Sequence, residues 1–98
     1  MHLDLNNLRL QIETLDEEIL ELLAKRFEIV KRIGVLKKTL NQNPLNQNRW
    51  AQVLEKVNKK SLELGLNYTQ IELIWENIHS YALQLEQNEI DKSELLSK

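Results

Sequence analysis

The chain has no cysteine, only one proline and two glycines, and just five aromatic residues. Without cysteine there can be no disulfide, no thiolate zinc site and no cysteine nucleophile. With so little proline and glycine there is little turn chemistry. Leu, Glu, Lys, Gln and Asn dominate instead, which predicts an all-α protein with few, short connections. No run approaches the roughly 18 apolar residues of a membrane span. The start, Met1-His2-Leu3-Asp4, has neither a cationic segment nor an uninterrupted apolar one, so no secretory signal is expected and the predicted compartment is the cytoplasm. A basic excess is also missing. At a net charge of −2 no global field recruits nucleic acid or an anionic membrane, and neither is expected as a partner. Any anion must be held by a local cluster. The 98 residues suit one domain with a modest core, a size helped by oligomerisation.

What the chain does have is one long uninterrupted helical stretch, from about Leu5 to Leu40. Leu8, Ile12, Leu15, Ile19 and Leu22 alternate spacings of four and three, which places them on a single face. Roughly 36 residues at 1.5 Å each span about 54 Å. A compact domain of this size has a radius of gyration near 12–13 Å. The helix is therefore too long for a private core and is predicted to bury its stripe against another chain. Continued, the stripe reads Arg26, Val30, Ile33, Lys37. Arg26 and Lys37 lie about three turns apart with only about 20° of rotation between them. Two cations on an apolar line need an anion between them, or else they snorkel outward or pair with carboxylates of a neighbouring helix.

Asp4 is the expected cap of this helix. Past Leu40 the run Asn41-Gln42-Asn43-Pro44-Leu45-Asn46-Gln47-Asn48 loses apolar periodicity and reads as a polar loop. Either Asn43 or Asn46 caps a second helix, with Pro44 in its first turn if the cap is Asn43. That helix buries Trp50, Val53, Leu54, Val57 and Leu64 and stops at Gly65. A capping box, Thr69-Gln70-Ile71-Glu72, starts a third helix with Ile71, Ile74, Trp75, Ile78, Ala82 and Leu85 inside. Residues 1–88 form one helical domain, and 89–98 are read as a polar, frayed tail.

The usual catalytic groupings are missing. His2 sits at a terminus and His79 stands alone on the third helix; neither is read as catalytic. There is no glycine-rich phosphate loop and no histidine pair suited to a metal, and Ser61, Ser80 and Ser93 lack an evident base. What remains is a set of cations, Arg9, Arg26, Lys37 and Arg49, with Glu86 one turn after Ala82 on the third helix.

In this arrangement the chain resembles the all-helical chorismate mutases over about residues 3–87. The matching pieces are Leu8-Arg9 with Ile12 and Leu15-Asp16; Leu23-Ala24-Lys25-Arg26; Gly34 with Lys37; Arg49 before Val53-Leu54; and Trp75 through Ile78 leading to Glu86. Their order and spacing carry the resemblance. It implies an intertwined homodimer of three-helix protomers and, as activity, the rearrangement of chorismate to prephenate in aromatic amino-acid biosynthesis. Arg26 and Arg49, with an Arg9 from the other protomer, would hold the two carboxylates of chorismate, a geometry that suits guanidinium groups. Lys37 and Glu86 would lie at the ether oxygen. Arg26, Lys37 and Glu86 are thus the implied catalytic set, with Asn46, Trp50 and Ala82 also lining the substrate. The reaction is pericyclic and needs no cofactor. It asks the protein to hold the folded conformer and to stabilise charge on the breaking ether oxygen. A partner enzyme of the shikimate pathway is a further implied association.

Four positions depart from the common family pattern. Glu86 stands where Gln is frequent, and Glu donates a hydrogen bond only when protonated. Asn46 stands where Asp is frequent, and Ala82 where Ser is. Trp50 occupies the position at which a Glu usually meets the ring hydroxyl of the substrate. The related isochorismate-pyruvate lyases also carry an apolar residue there, on the same Arg/Arg/Lys set, but generally have Gln at the Glu86 position. Lyase activity, or a dimer weakened in catalysis that binds a dicarboxylate or a partner protein, are the alternatives.

Overall fold

The structure, a computed structural model, describes residues 2–96, with side chains described over 4–92. The chain forms three helices: α1 over His2–Thr39, α2 over Gln47–Glu63 and α3 over Tyr68–Leu96. Among the described residues there is no strand. The all-α, three-helix protomer with one very long first helix is as the sequence predicts. Helix α3 packs against both others, whereas the backbones of α1 and α2 stay apart and face each other across a gap.

Each helix end has a local cause. α1 starts at His2, so Asp4 lies inside its first turn, where the carboxylate faces the positive end of the helix rather than capping it. α1 stops because Asn41 takes a left-handed backbone (φ 57°). The Asn41 and Gln42 N–H groups then bond back to the Lys38 and Lys37 carbonyls. Gly65 (φ 73°) ends α2 in the same way, with its N–H on the Leu62 carbonyl and that of Leu66 on the Ser61 carbonyl. Of the two asparagines that could cap α2, Asn46 does so, its side-chain carbonyl accepting from the Arg49 N–H at 3.0 Å. The cap of α3 is Asn67, which accepts from the Gln70 N–H at 3.2 Å, so the expected Thr69 capping box is not formed. α3 also continues past Gln87, whose side chain donates to Asp91 at 3.0 Å. The end of the expected frayed tail lies outside the described residues.

The single chain is a rod with a small packed end. It measures 64 × 28 × 15 Å and has a radius of gyration of 17.7 Å, well above the compact value. Val30 and Ala82 are its buried apolar residues, where α1 crosses α3. The first half of the α1 stripe has no cover in this chain: Leu8 is 55% exposed and Leu22 63%. On the other helices Leu64 and Ile74, expected inside, are also exposed. Leu64 lies at the C-cap, at the edge of an open apolar pocket it shares with Ile71 and Trp75 of α3. Ile74 borders an open apolar groove of about 630 Å³ between α1 and α3, with Ile19, Leu22, Leu23, Trp75 and Ile78. Phe27 against Tyr81 (ring centroids 4.6 Å apart) fastens α1 to α3, and Asn58 donating to Glu72 at 2.7 Å fastens α2 to α3.

Gly34 sets how closely α1 approaches α3. A Cβ built there would stand 2.9 Å from the Glu86 Cα and 3.1 Å from its carbonyl oxygen. Those neighbours are backbone and cannot swing away, so only glycine permits this crossing. The close approach delivers Glu86 to α1 one turn before Lys37.

Candidate active site

The gap between α1 and α2 is a cavity of about 240 Å³, floored by α3. α1 lends Arg26 and the aliphatic side of Val30 and Ile33, α2 lends Arg49 and Trp50, and α3 lends His79 and Ala82. Asn46 reaches it from the cap of α2. Arg26, Val30 and Ile33 point together because spacings of four and three keep them on one helical face. His79 and Ala82 do so on α3 for the same reason.

The electrostatics of the two arginines are the distinctive property. Burial, and secondarily the charge of Arg49 across the gap, push the Arg26 guanidinium below its ordinary value. One of its terminal nitrogens, Nη1, is buried with no hydrogen-bond partner among the described residues. Two like charges share the walls of one small cavity, and one of them holds an unused buried donor. A carboxylate between them relieves the repulsion and uses the donor.

Lys37 and Glu86 lie one turn further along, past Ile33 on α1 and Ala82 on α3. Lys37 Nζ stands 2.8 Å from Glu86 Oε1. The contact is ionic rather than an aligned hydrogen bond, since that oxygen has no hydrogen-bond donor. The same ammonium donates to the Pro44 carbonyl. The two cations on the apolar line thus meet different fates. Lys37 pairs with a neighbouring helix's carboxylate, one of the arrangements open from sequence, whereas Arg26 keeps a free donor.

Of the residues implied from sequence, Arg26, Asn46, Arg49, Trp50 and Ala82 line the cavity. Lys37 and Glu86 form the adjoining pair. Arg9 is elsewhere, about 26 Å along α1 from Arg26, on the uncovered half of the rod.

The family model for chorismate mutase type II matches residues 8–87. The chain belongs to that family. Comparison with curated proteins returns no match. The family match spans the long helix, the cavity and the Lys37–Glu86 pair together. As a chorismate mutase family domain, the chain has one feature that sequence reasoning passed over. His79, read as an isolated histidine, lies flat on Trp50 with ring centroids 3.9 Å apart and an interplanar angle of 6°. Its position three residues before Ala82 and seven before Glu86 was the available signal, since all three then share one face of α3. Burial first of all holds the imidazole below its ordinary value. Glu86 pulls it up, and Arg26 and Lys37 push it down.

Among the described residues, no helix is long and apolar enough to cross a membrane.

Proposed function

We propose that the protein is a cytoplasmic chorismate mutase that works as an intertwined homodimer, converting chorismate to prephenate without a cofactor. The observation that carries this reading is the pair of arginines facing across one small cavity, with Arg26 Nη1 buried and unpartnered. Arg26 and Arg49 bind the two carboxylates. An Arg9 from the second protomer joins them, because Arg9 is too far along α1 to reach the cavity of its own chain. Lys37 turns from Glu86 toward the ether oxygen as the C–O bond breaks and the new C–C bond forms, and its charge offsets the one developing there. No proton has to leave the substrate, so a cavity without a general base suits the chemistry.

A second reading has its own support. Trp50 lies against the cavity wall and offers an indole N–H but no acceptor, and the related isochorismate-pyruvate lyases likewise lack an acceptor there, carrying an apolar residue. Incubating the protein separately with chorismate and with isochorismate, then identifying the products, separates the two. Prephenate from chorismate and no pyruvate from isochorismate is the expected result; pyruvate and salicylate would establish the lyase.

Glu86 gives a further test. As an anion it only accepts a hydrogen bond and opposes the charge developing on the ether oxygen. Glu86→Gln supplies a permanent donor of nearly the same shape and should raise the rate at neutral pH. An unchanged rate in the Gln variant would confine Glu86 to pairing with Lys37.

A further inference from the structure

The cavity has an arrangement that the two arginines and the Lys37–Glu86 pair do not explain: a histidine from α3 stacked face to face on a tryptophan from α2. Stacking engages the faces of both rings. The nitrogens of an imidazole lie on its edge, so the contact leaves their hydrogen-bonding capacity untouched. Neither His79 nitrogen has a protein hydrogen-bond partner among the described residues. The indole holds the ring plane fixed, and the partly buried imidazole borders the cavity beside Ala82. A small residue at Ala82 leaves the neighbouring space open rather than filling it.

Chorismate presents two carboxylates, an ether oxygen and a ring hydroxyl. The carboxylates match Arg26 and Arg49, and the ether oxygen matches Lys37 and Glu86. The hydroxyl has no counterpart among these groups, and Trp50 cannot accept from it. We propose that His79, braced by Trp50, is the residue that recognises the ring hydroxyl of the ligand and so determines specificity for a hydroxylated cyclic dicarboxylate. The inference rests on the reading of the site as one for chorismate.

The protonation state fits this role. His79 is faced by Arg26 and Lys37 from α1, by Glu86 from its own helix, and by Arg49 from α2 across the cavity they both line. Burial and the two α1 cations outweigh Glu86, so the ring is neutral at pH 7. A neutral imidazole has one donor and one acceptor nitrogen, enough to accept the hydroxyl proton, whereas an imidazolium has no acceptor. Its folded-state value is depressed, so the acceptor is present at neutral pH and is lost as pH falls through that depressed value.

The alternative role for the ring is to fill volume beside Trp50, which a phenylalanine would do equally well. The test uses a stable oxabicyclic dicarboxylate that mimics the rearranging conformer, prepared with and without the ring hydroxyl. Binding of each to the intact protein is measured by calorimetry at pH 7.5. One neutral hydrogen bond corresponds to a preference of up to about tenfold. The wild-type protein should therefore bind the hydroxylated compound several-fold to tenfold more tightly. His79→Phe retains an aromatic ring on Trp50 and should bring the ratio of the two affinities close to one. His79→Gln, which restores an acceptor, should recover part of the preference. Equal binding of both compounds by the wild type would overturn the inference and leave the proposed function standing. A preference that persists in His79→Phe, or a loss that is equal for both compounds, would overturn it as well. Failure of the wild type to bind either compound would overturn the chorismate reading and this inference with it.

Discussion

Lys37→Ala should lower kcat/KM for chorismate by about 10²–10³-fold, the usual cost of removing one preorganised donor from a developing oxyanion. The loss should fall mainly on kcat, because the charge that Lys37 meets appears only in the transition state. Arg26→Ala should also remove most activity, with a larger share in KM, because a guanidinium bound to a carboxylate acts on the ground state as well. Neither substitution empties a packed core. Lys37 lies at the rim of the α1–α3 crossing, and Arg26 faces a cavity. Both variants should keep their helical circular dichroism and their sedimentation behaviour. Wild-type kcat/KM in both would place the reaction elsewhere. Unfolding of both would reassign the two cations to structural ion pairing.

The second large effect concerns assembly. Sedimentation over a wide concentration range should show a dimer and no folded monomer. Leu8, Ile12, Leu15, Ile19 and Leu22 are each more than half exposed in the single chain. Covering what remains is worth roughly 1 kcal/mol apiece, and both chains gain it. The open apolar groove beside Ile19, Leu22, Trp75 and Ile78 is a further surface of the same kind. Ile12→Asp separates the possibilities. In an isolated chain the position is 58% exposed, and a charge there costs little. In a dimer it is buried against the partner, and the protein should dissociate and lose helicity together. A stable, helical monomer at micromolar concentration would end the intertwined architecture, and with it the contribution of Arg9 to the other protomer's cavity.

The long first helix was readable because one period governs it from Leu8 to Lys37 and nothing in that span breaks it. The stop at Gly65 was equally readable, since a left-handed residue after an apolar run has few other uses. The helix starts were harder. Asn67 and Thr69 are both good caps, and choosing between them depends on how α3 meets α2, which is tertiary information. Asp4 illustrates the same limit, because an acidic residue suits the cap and the first turn alike. α3 runs beyond Gln87 because its packed face continues, with Glu89 against Gly34 of α1 and Ile90 half-buried, while Gln87 donates to Asp91 along the turn. Periodicity showed the cations Arg26 and Arg49 only individually; that they meet at one ligand came from the family resemblance, and the buried, unpartnered Nη1 of Arg26 came from the structure alone. His79 was missed for a related reason: its significance comes from Trp50, 29 positions away, and no periodicity links two helices.

Gly34 also has a consequence for inheritance. A glycine codon can change to several other amino acids by a single base, and each of them carries the carbon atom for which there is no room against the Glu86 backbone. Elsewhere along α1 a conservative exchange exists for almost any residue, so variation can accumulate by small steps. At position 34 there is no small step. A lineage that altered it would have to widen the α1–α3 crossing in the same stroke, drawing Glu86 away from Lys37, or else compensate at a second site first.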